Sequence, residues 1–423
     1  MGSIHLQNWA GNYSYQAESI HYPESLAQLQ QIVRQATKIK ALGTRHSFND
    51  VADTTEALIS LAKMEQPLLL DEEKNQVTIG GSMRYGELCR FLAEAGYALP
   101  NLASLPHISV AGACATGTHG SGIGNGNLAT AVSAMQLITA NGHQVILSRE
   151  NQPQQFAGAV VSLGGLGVIT SLTLDLRPTF EMRQLVYDNL PHSELAANFA
   201  DIMGAAYSVS LFTNWQTDAV EQVWLKEKLA DSPVETAVPT FYGATLADAD
   251  RHPILAQSAE YCTRQMGVAG PWHERLPHFR LEFTPSNGEE LQSEYFVPRE
   301  AGFAAFQAIK PLAEQLGPHL LISEVRTIAA DDLWLSPAYQ QDSVAFHFTW
   351  KRDWANVQKL LPLIEEALRP FAPRPHWGKL FTLTPAAVQA QYEKLPAFRE
   401  LLQQYDPSGK FRNPYLDKYI FTK

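Results

Sequence analysis

Two glycine-rich segments and a set of alternating polar residues carry the chemistry open to this chain. The first segment reads Leu42, Gly43, Thr44, Arg45, His46 and Ser47, after a short apolar run. The second extends from Ser104 to Gly122 and includes Ser109, Gly112, Cys114, Thr116, Gly117, His119 and Gly120. Glycine lets backbone N–H groups approach an anion with no Cβ in the way, and interleaved Ser and Thr add hydroxyl donors. One such loop is an ordinary turn. Two long ones in the same region point to a clamp for a pyrophosphate that needs little lysine. His46, between Arg45 and Ser47, adds an imidazole that is nucleophilic when unprotonated and could bond an electrophilic cofactor carbon.

Strand alternation supplies the second constellation. In Ser323-Glu324-Val325-Arg326-Thr327, Glu324 and Arg326 fall on one face. In Phe346-His347-Phe348-Thr349-Trp350, His347 and Thr349 share a polar face while the three aromatic residues form a core-like one. Gln292 opens a further strand, and Lys379 follows His376, Trp377 and Gly378 near the C-terminus. A solvated sheet face would carry the same pattern. The functional alternative is a patch of donors and acceptors that holds a chain of hydroxyl groups.

Other chemistries are disfavoured by what the chain lacks. In GSGIGNGN, Asn125 stands where the third glycine of a dinucleotide fingerprint would fall. G-x-x-x-x-G-K-[ST], G-x-S-x-G and H-E-x-x-H are all absent. The three cysteines, Cys89, Cys114 and Cys262, lie too far apart for a disulfide framework or a cysteine-rich zinc site, so no metal is expected.

The elements that must position these residues follow from periodicity. Pro23-Glu24-Ser25 opens a helix with apolar residues at three- and four-residue steps. Strands are expected at 38–42, 57–60, 76–79, 134–139, 144–147 and 168–176, with a helix over 87–95. Period-two runs then mark 278–284, 292–298, 321–328 and 343–351, with helices over 301–316 and 354–368. The pattern is α+β, with a large sheet covered by helices on one face and free to cover something else with the other. Residues 231–257 read as a long connection. At 423 residues, 45% hydrophobic and 18% charged, the chain can bury a sizeable core in two or three folding units. A net charge of −11 without a basic block argues against nucleic acid and anionic membranes as partners. There is no basic-then-apolar start and no apolar run of about 18 residues, so a cytoplasmic protein is expected.

The segments GTRHSFND, NLASLPHISVAGACATGTHGSG, SLGGLGVITSLTL, GPWHERLPHF, LQSEYFVPRE, EVRT, HFTW, RPHWGK and DPSGKFRNPY together resemble the alditol oxidases, flavin-dependent enzymes of the vanillyl-alcohol oxidase type. The resemblance runs from Asn8-Trp9-Ala10-Gly11-Asn12 to the C-terminus. It implies an FAD-binding α+β domain over 1–178, a substrate domain built on a large antiparallel sheet over 179–370, and a segment 371–423 returning to the first domain. It places FAD on the residues named above in the two glycine-rich segments, together with Ile169, His376, Asn413 and Tyr415, and joins the flavin covalently to His46. Ser104, Gln292, Glu324, Arg326, Thr349 and Lys379 are implied around the substrate, with Arg326, Lys379, His347 and Glu324 as the catalytic set. The family loop reads Gly-x-Gly-His-Ser, whereas Arg45 replaces its second glycine. Either the backbone there is left-handed and strains the arginine, or Arg45 takes an ordinary conformation and points outwards. Cys114 sits where a small buried residue is expected, not a second flavin link.

The implied reaction oxidises the terminal alcohol of a linear polyol, such as xylitol or sorbitol, with FAD as hydride acceptor and dioxygen as final acceptor. The expected partners are thus a polyol and dioxygen, and the protein is expected as a monomer. A sugar-lactone oxidase or a flavin dehydrogenase is the enzymatic alternative. A flavin- or carbohydrate-binding protein without turnover is the alternative of another class.

Overall fold

The computed structural model describes residues 5–229, 237–282 and 289–422. Three parallel strands come first, in the spatial order Ser19–His21, Ala57–Ile59, Ile39–Ala41. The helix Leu26–Gln35, capped by Ser25 accepting from the amide of Gln28, packs Leu29 and Val33 beneath them with Phe411 of the tail. A five-stranded antiparallel sheet follows, ordered Leu68–Asp71, Gln76–Gly80, Val168–Asp175, Val132–Ile138, Gln144–Ser148. Its core extends into the C-terminal helix Leu395–Tyr405 through Phe398, Leu401 and Leu402.

From Glu181 the chain builds a ten-stranded antiparallel sheet. Its central strands lie in the order Glu181–Pro191, Ala219–Lys228, Ser208–Thr213, Leu320–Ile328, Ser343–Lys351, Glu290–Pro298. One face carries Val325, Phe346, Phe348, Trp350 and Tyr295 against the helices His192–Met203, Gly302–Ile309 and Trp354–Leu368. The other face carries the polar residues, as the alternation predicts. Arg374–Pro375 adds to the edge at Glu290–Pro298 and leads the chain back to the first sheets.

Some expectations need correcting. The helix read over 301–316 is broken: Gly302–Ile309 is helical, but Lys310–Leu312 tightens into a 3-10 turn where Pro311 has no N–H to donate. The strand read over 278–284 is not one. His278 and Phe279 both give their amides to the carbonyl of Ser104, at 3.2 and 3.3 Å, so this stretch is tied to a loop and not to a ladder. Residues 283 and 284 lie outside the described ones. Within 231–257, Thr240–Phe241 and Ala244–Leu246 form a small hairpin on the sheet edge, and 231–236 lie outside the described residues. Among the described residues no helix is long and apolar enough to cross a membrane.

Candidate active site

The register of the large sheet lines up the site. Glu324 lies opposite His347, and His347 opposite Glu294, so three ionisable side chains stand side by side across three strands. One step along, Thr349 lies between Ile322 and Gln292. The segment after Pro375 then crosses the strand edge: the amide of His376 donates to Glu294 O at 3.0 Å, and that of Leu380 to Gln292 O at 2.9 Å. That path delivers Lys379 over the row. Its Nζ lies 2.6 Å from Glu294 Oε2 and 2.8 Å from His347 Nδ1.

An ammonium only donates, so His347 accepts at Nδ1 and carries its proton on Nε2, which donates to Thr349 Oγ1 at 3.0 Å. Burial, then the nearby Lys379, hold the His347 pKa well below the usual value and keep the ring neutral. Burial alone would raise the Glu294 carboxyl. Lys379 and the rings of His119 and His347 outweigh it and hold that carboxyl well below its usual range. His119 reaches Glu294 Oε1 at 3.2 Å through Nε2, with Nδ1 2.7 Å from Gly120 O. His119, expected at the cofactor, thus also lies beside the polar row.

Arg326 forms an ion pair with Glu324 Oε2 and donates to Ser104 Oγ at 3.0 Å. Its Nε is buried and has no hydrogen-bond partner among the described residues, leaving a guanidinium N–H for a ligand. Glu324 takes a second donor on Oε1, the Nε2 of His278 at 2.8 Å. Both its oxygens are thus matched within the protein, and what it holds first is the guanidinium. Gln292 gives its Nε2 to Glu290 Oε1 at 2.6 Å, a bond in which its own Oε1 takes no part.

The two glycine-rich segments meet. The amide of Ser109 donates to Thr44 Oγ1 at 3.1 Å, and a Cβ placed on Gly43 or on Gly112 would come 2.8 Å from Ser109 Oγ. A larger residue at either glycine would make the Ser109 hydroxyl turn away. His46 stacks on Trp9 with ring centroids 5.2 Å apart, and burial lowers its pKa to about 4. Its Nδ1 is buried without a hydrogen-bond partner among the described residues, while the Thr44 backbone beside the ring pulls the pKa the other way. These features fit an FAD. Arg45 settles the open question on the loop: φ is +62°, the left-handed region, and the exposed side chain turns back to Gln7 O at 2.9 Å. It points outwards but not in an ordinary conformation.

Other residues read as cofactor contacts have definite places. The Ser47 carbonyl accepts from Asn8 Nδ2 at 2.9 Å, and Leu42 donates its amide to Ile59 O at 2.7 Å. Thr116 Oγ1 bonds back to Gly112 O at 3.1 Å, and Gly117 has φ +66°. Cys114 is buried 3.9 Å from the hydroxyl of Tyr85, and burial pushes its thiol up to about 12, an inert state. A Cβ on Gly81 would come 2.1 Å from Ile169 O. His376 is buried and accepts the Gly378 amide at 3.1 Å. Asn413 spends its amide on the carbonyls of Asp50, Val51 and Asp53, and Tyr415 donates to Trp377 O at 2.8 Å. Asn413 thereby ties the tail to the stretch that follows the His46 loop, and Tyr415 ties two parts of the tail together.

Sequence reasoning missed Glu294, Trp9, Lys226 and His278. Glu294 was within reach, since it follows Gln292 by two in a strand and must share its face.

Residues 17–148 match a family model described as an FAD binding domain, and residues 284–419 one described as D-arabinono-1,4-lactone oxidase. Over 417 residues the chain is 46% identical to an alditol oxidase from Streptomyces sp. (strain IKD472 / FERM P-14339), covering 98% of each chain. It is 28% identical over 452 residues to an L-gulonolactone oxidase from Mus musculus, covering 99% of this chain and 98% of the other. A solved structure titled solvent-stable cholesterol oxidase superposes with a TM-score of 0.76 at 17% identity, over 97% of this chain and 96% of that one, a likeness of fold. With 98% of both chains aligned at 46% identity, the chain belongs to the alditol oxidases, FAD-dependent oxidoreductases of the vanillyl-alcohol oxidase type.

Proposed function

We propose that the protein oxidises the terminal primary alcohol of a linear polyol, xylitol or sorbitol, to the aldose, with dioxygen reduced to hydrogen peroxide. The observation that carries this reading is the bond from Arg326 to Ser104, 3.0 Å long, which joins the polar face of the large sheet to the glycine-rich segment. FAD, held by the Gly43 and Ser104–Gly122 loops and bonded to His46, supplies the hydride acceptor and the route to dioxygen. The domain division at 178 and 370 belongs to the same reading, supported by the start of the large sheet at Glu181 and the return of the tail at Arg374.

Arg326 and Lys379 stabilise negative charge on the substrate oxygen as the C–H bond breaks. The proton of that hydroxyl goes to His347 Nδ1, the one lone pair on that neutral ring. Lys379 covers this nitrogen at rest, so proton uptake is coupled to the ammonium turning towards the oxygen. Gln292, Thr349 and Ser104 hold the remaining hydroxyls, while Glu324 aims Arg326. The preference for a neutral substrate rests on charge: the two cations of the pocket are already balanced by Glu294 and Glu324. We place the enzyme in the cytoplasm as a monomer.

The test is oxygen uptake on xylitol and sorbitol, run against a dye acceptor and with Arg326→Met and Lys379→Met. Fast oxygen uptake, lost about 100-fold or more in either variant, is expected. The match of residues 284–419 to a lactone-oxidase model favours a sugar lactone as the second reading. A higher kcat/KM on aldonolactones than on xylitol would replace the first reading with it.

A further inference from the structure

We infer that Lys226 and His278 are positioning residues, a buried support that fixes the Glu324 carboxylate and through it the aim of the Arg326 guanidinium. This rests on the role given to Arg326 above.

Lys226 is on the strand Ala219–Lys228, two strands from Glu324, and is 1% exposed. Burial lowers the Lys226 pKa to about 7, and below that pH its ammonium needs three acceptors for its three N–H bonds. Lys226 has them: Leu276 O at 2.5 Å, Pro277 O at 3.0 Å and His278 Nδ1 at 3.0 Å. The third acceptor has a consequence. With Nδ1 receiving a proton bond, the neutral ring must carry its own proton on Nε2, which points at Glu324 Oε1 at 2.8 Å. The other oxygen of Glu324 takes Arg326, Arg326 donates to Ser104 Oγ at 3.0 Å, and Ser104 O accepts the amide of His278 at 3.2 Å. The bonds close a ring, His278 to Glu324 to Arg326 to Ser104 and back. Three parts of the chain meet in it: the large sheet, the loop GPWHERLPHF and the glycine-rich segment.

The surroundings suit a support that does not itself react. Phe212 and Trp224 meet the His278 ring edge-on at 5.5 and 5.2 Å and close it off from solvent. Burial, then Lys226, lower the His278 pKa to about 4, so the ring stays neutral and keeps one tautomer. Without the Lys226 donor the tautomer is held by Glu324 alone, since the flipped proton would leave two lone pairs, on Nε2 and on Glu324 Oε1, facing each other, and the ring loses the bond that fixes its position.

Three variants of the flavin-loaded protein test this, with rates normalised to flavin content. His278→Leu removes both bonds and is expected to lower kcat on xylitol about 100-fold with KM nearly unchanged, the effect of a misaimed catalytic group. His278→Gln keeps a donor that reaches Glu324 and recovers at least about tenfold of that loss. Lys226→Met, of similar volume, lowers kcat about tenfold. Equal rates for His278→Gln and His278→Leu, or an unchanged kcat in Lys226→Met, overturn the inference. Should His278→Leu fail to fold, Lys226→Met alone decides. Histidine side-chain 15N resonances give a readout independent of turnover: His278 should show the Nε2-protonated neutral form between about pH 5 and 6.5, above its own pKa of about 4 and below the Lys226 value of about 7. The other tautomer or an imidazolium in that range overturns the support. Arg326→Met separates the two levels. A fast Arg326→Met sinks the reading of Arg326 itself, whereas a slow Arg326→Met with an unimpaired Lys226→Met sinks the support alone.

Discussion

The ammonium of Lys379 sits 2.6 Å from Oε2 of Glu294, a carboxylate with no exposed side-chain surface, although 85 positions separate them in the chain. The contact fastens the returning tail to the polar face of the large sheet. Removing one partner of a buried pair leaves the other charged and unmatched. Glu294→Gln is therefore expected to cost about 3–5 kcal/mol of stability in denaturant unfolding. A loss below about 1 kcal/mol would mean that solvent already screens the pair.

The same carboxyl fixes a direction with pH. Glu294 and Glu324 are both held well below the usual carboxyl range: burial opposes the charge, but Lys379 prevails at Glu294 and Arg326 at Glu324. A group whose pKa falls on folding contributes stability that is complete above its unfolded value, about 4.3, and is lost as pH falls through the folded value. The stability gap between the parent and Glu294→Gln should hold steady between about pH 7 and 5 and narrow below about pH 4. A gap that widens on acidification would contradict the assigned ionisation.

Most of this site was legible in the sequence for one physical reason: a strand has a period of two, so residue type alone decides which face Glu324, Arg326, His347 and Thr349 take. The helix Trp354–Leu368 was legible for the analogous reason of a three-to-four-residue apolar period. The strands Glu181–Pro191, Ser208–Thr213 and Ala219–Lys228 were not, because both of their faces are largely buried and Gln184, Gln222 and Lys226 interrupt the apolar face pattern from inside the core. His278 looked like part of a strand because alternation also occurs in a loop pinned by its amides. Its true neighbours, Ser104 and Glu324, are set by tertiary contacts that no local period encodes.

Arg45 offers a test of backbone strain. An L-residue in the left-handed region costs about 1–2 kcal/mol relative to glycine. Arg45→Ala keeps that strain and loses the bond to Gln7 O, whereas Arg45→Gly loses the bond and relieves the strain. The glycine variant should unfold at the higher denaturant concentration, by about 1 kcal/mol over alanine. Equal stabilities would show that the loop relaxes out of φ +62° once the guanidinium is gone.

The proposed bond between His46 and the flavin can be tested apart from catalysis. The ring is neutral at any pH well above 4, so its lone pair is available. Trp9 stacks on it at 5.2 Å and fixes its plane, while Trp9 N donates to Arg45 O at 2.8 Å and fixes the loop. The bond that joins the two glycine-rich segments, Ser109 N to Thr44 Oγ1, does not involve the imidazole. His46→Ala should therefore still take up FAD and be yellow in solution, yet give a colourless pellet on acid precipitation, whereas the parent pellet stays yellow. A colourless parent pellet would rule out the covalent bond, and a yellow His46→Ala pellet would place it on another residue.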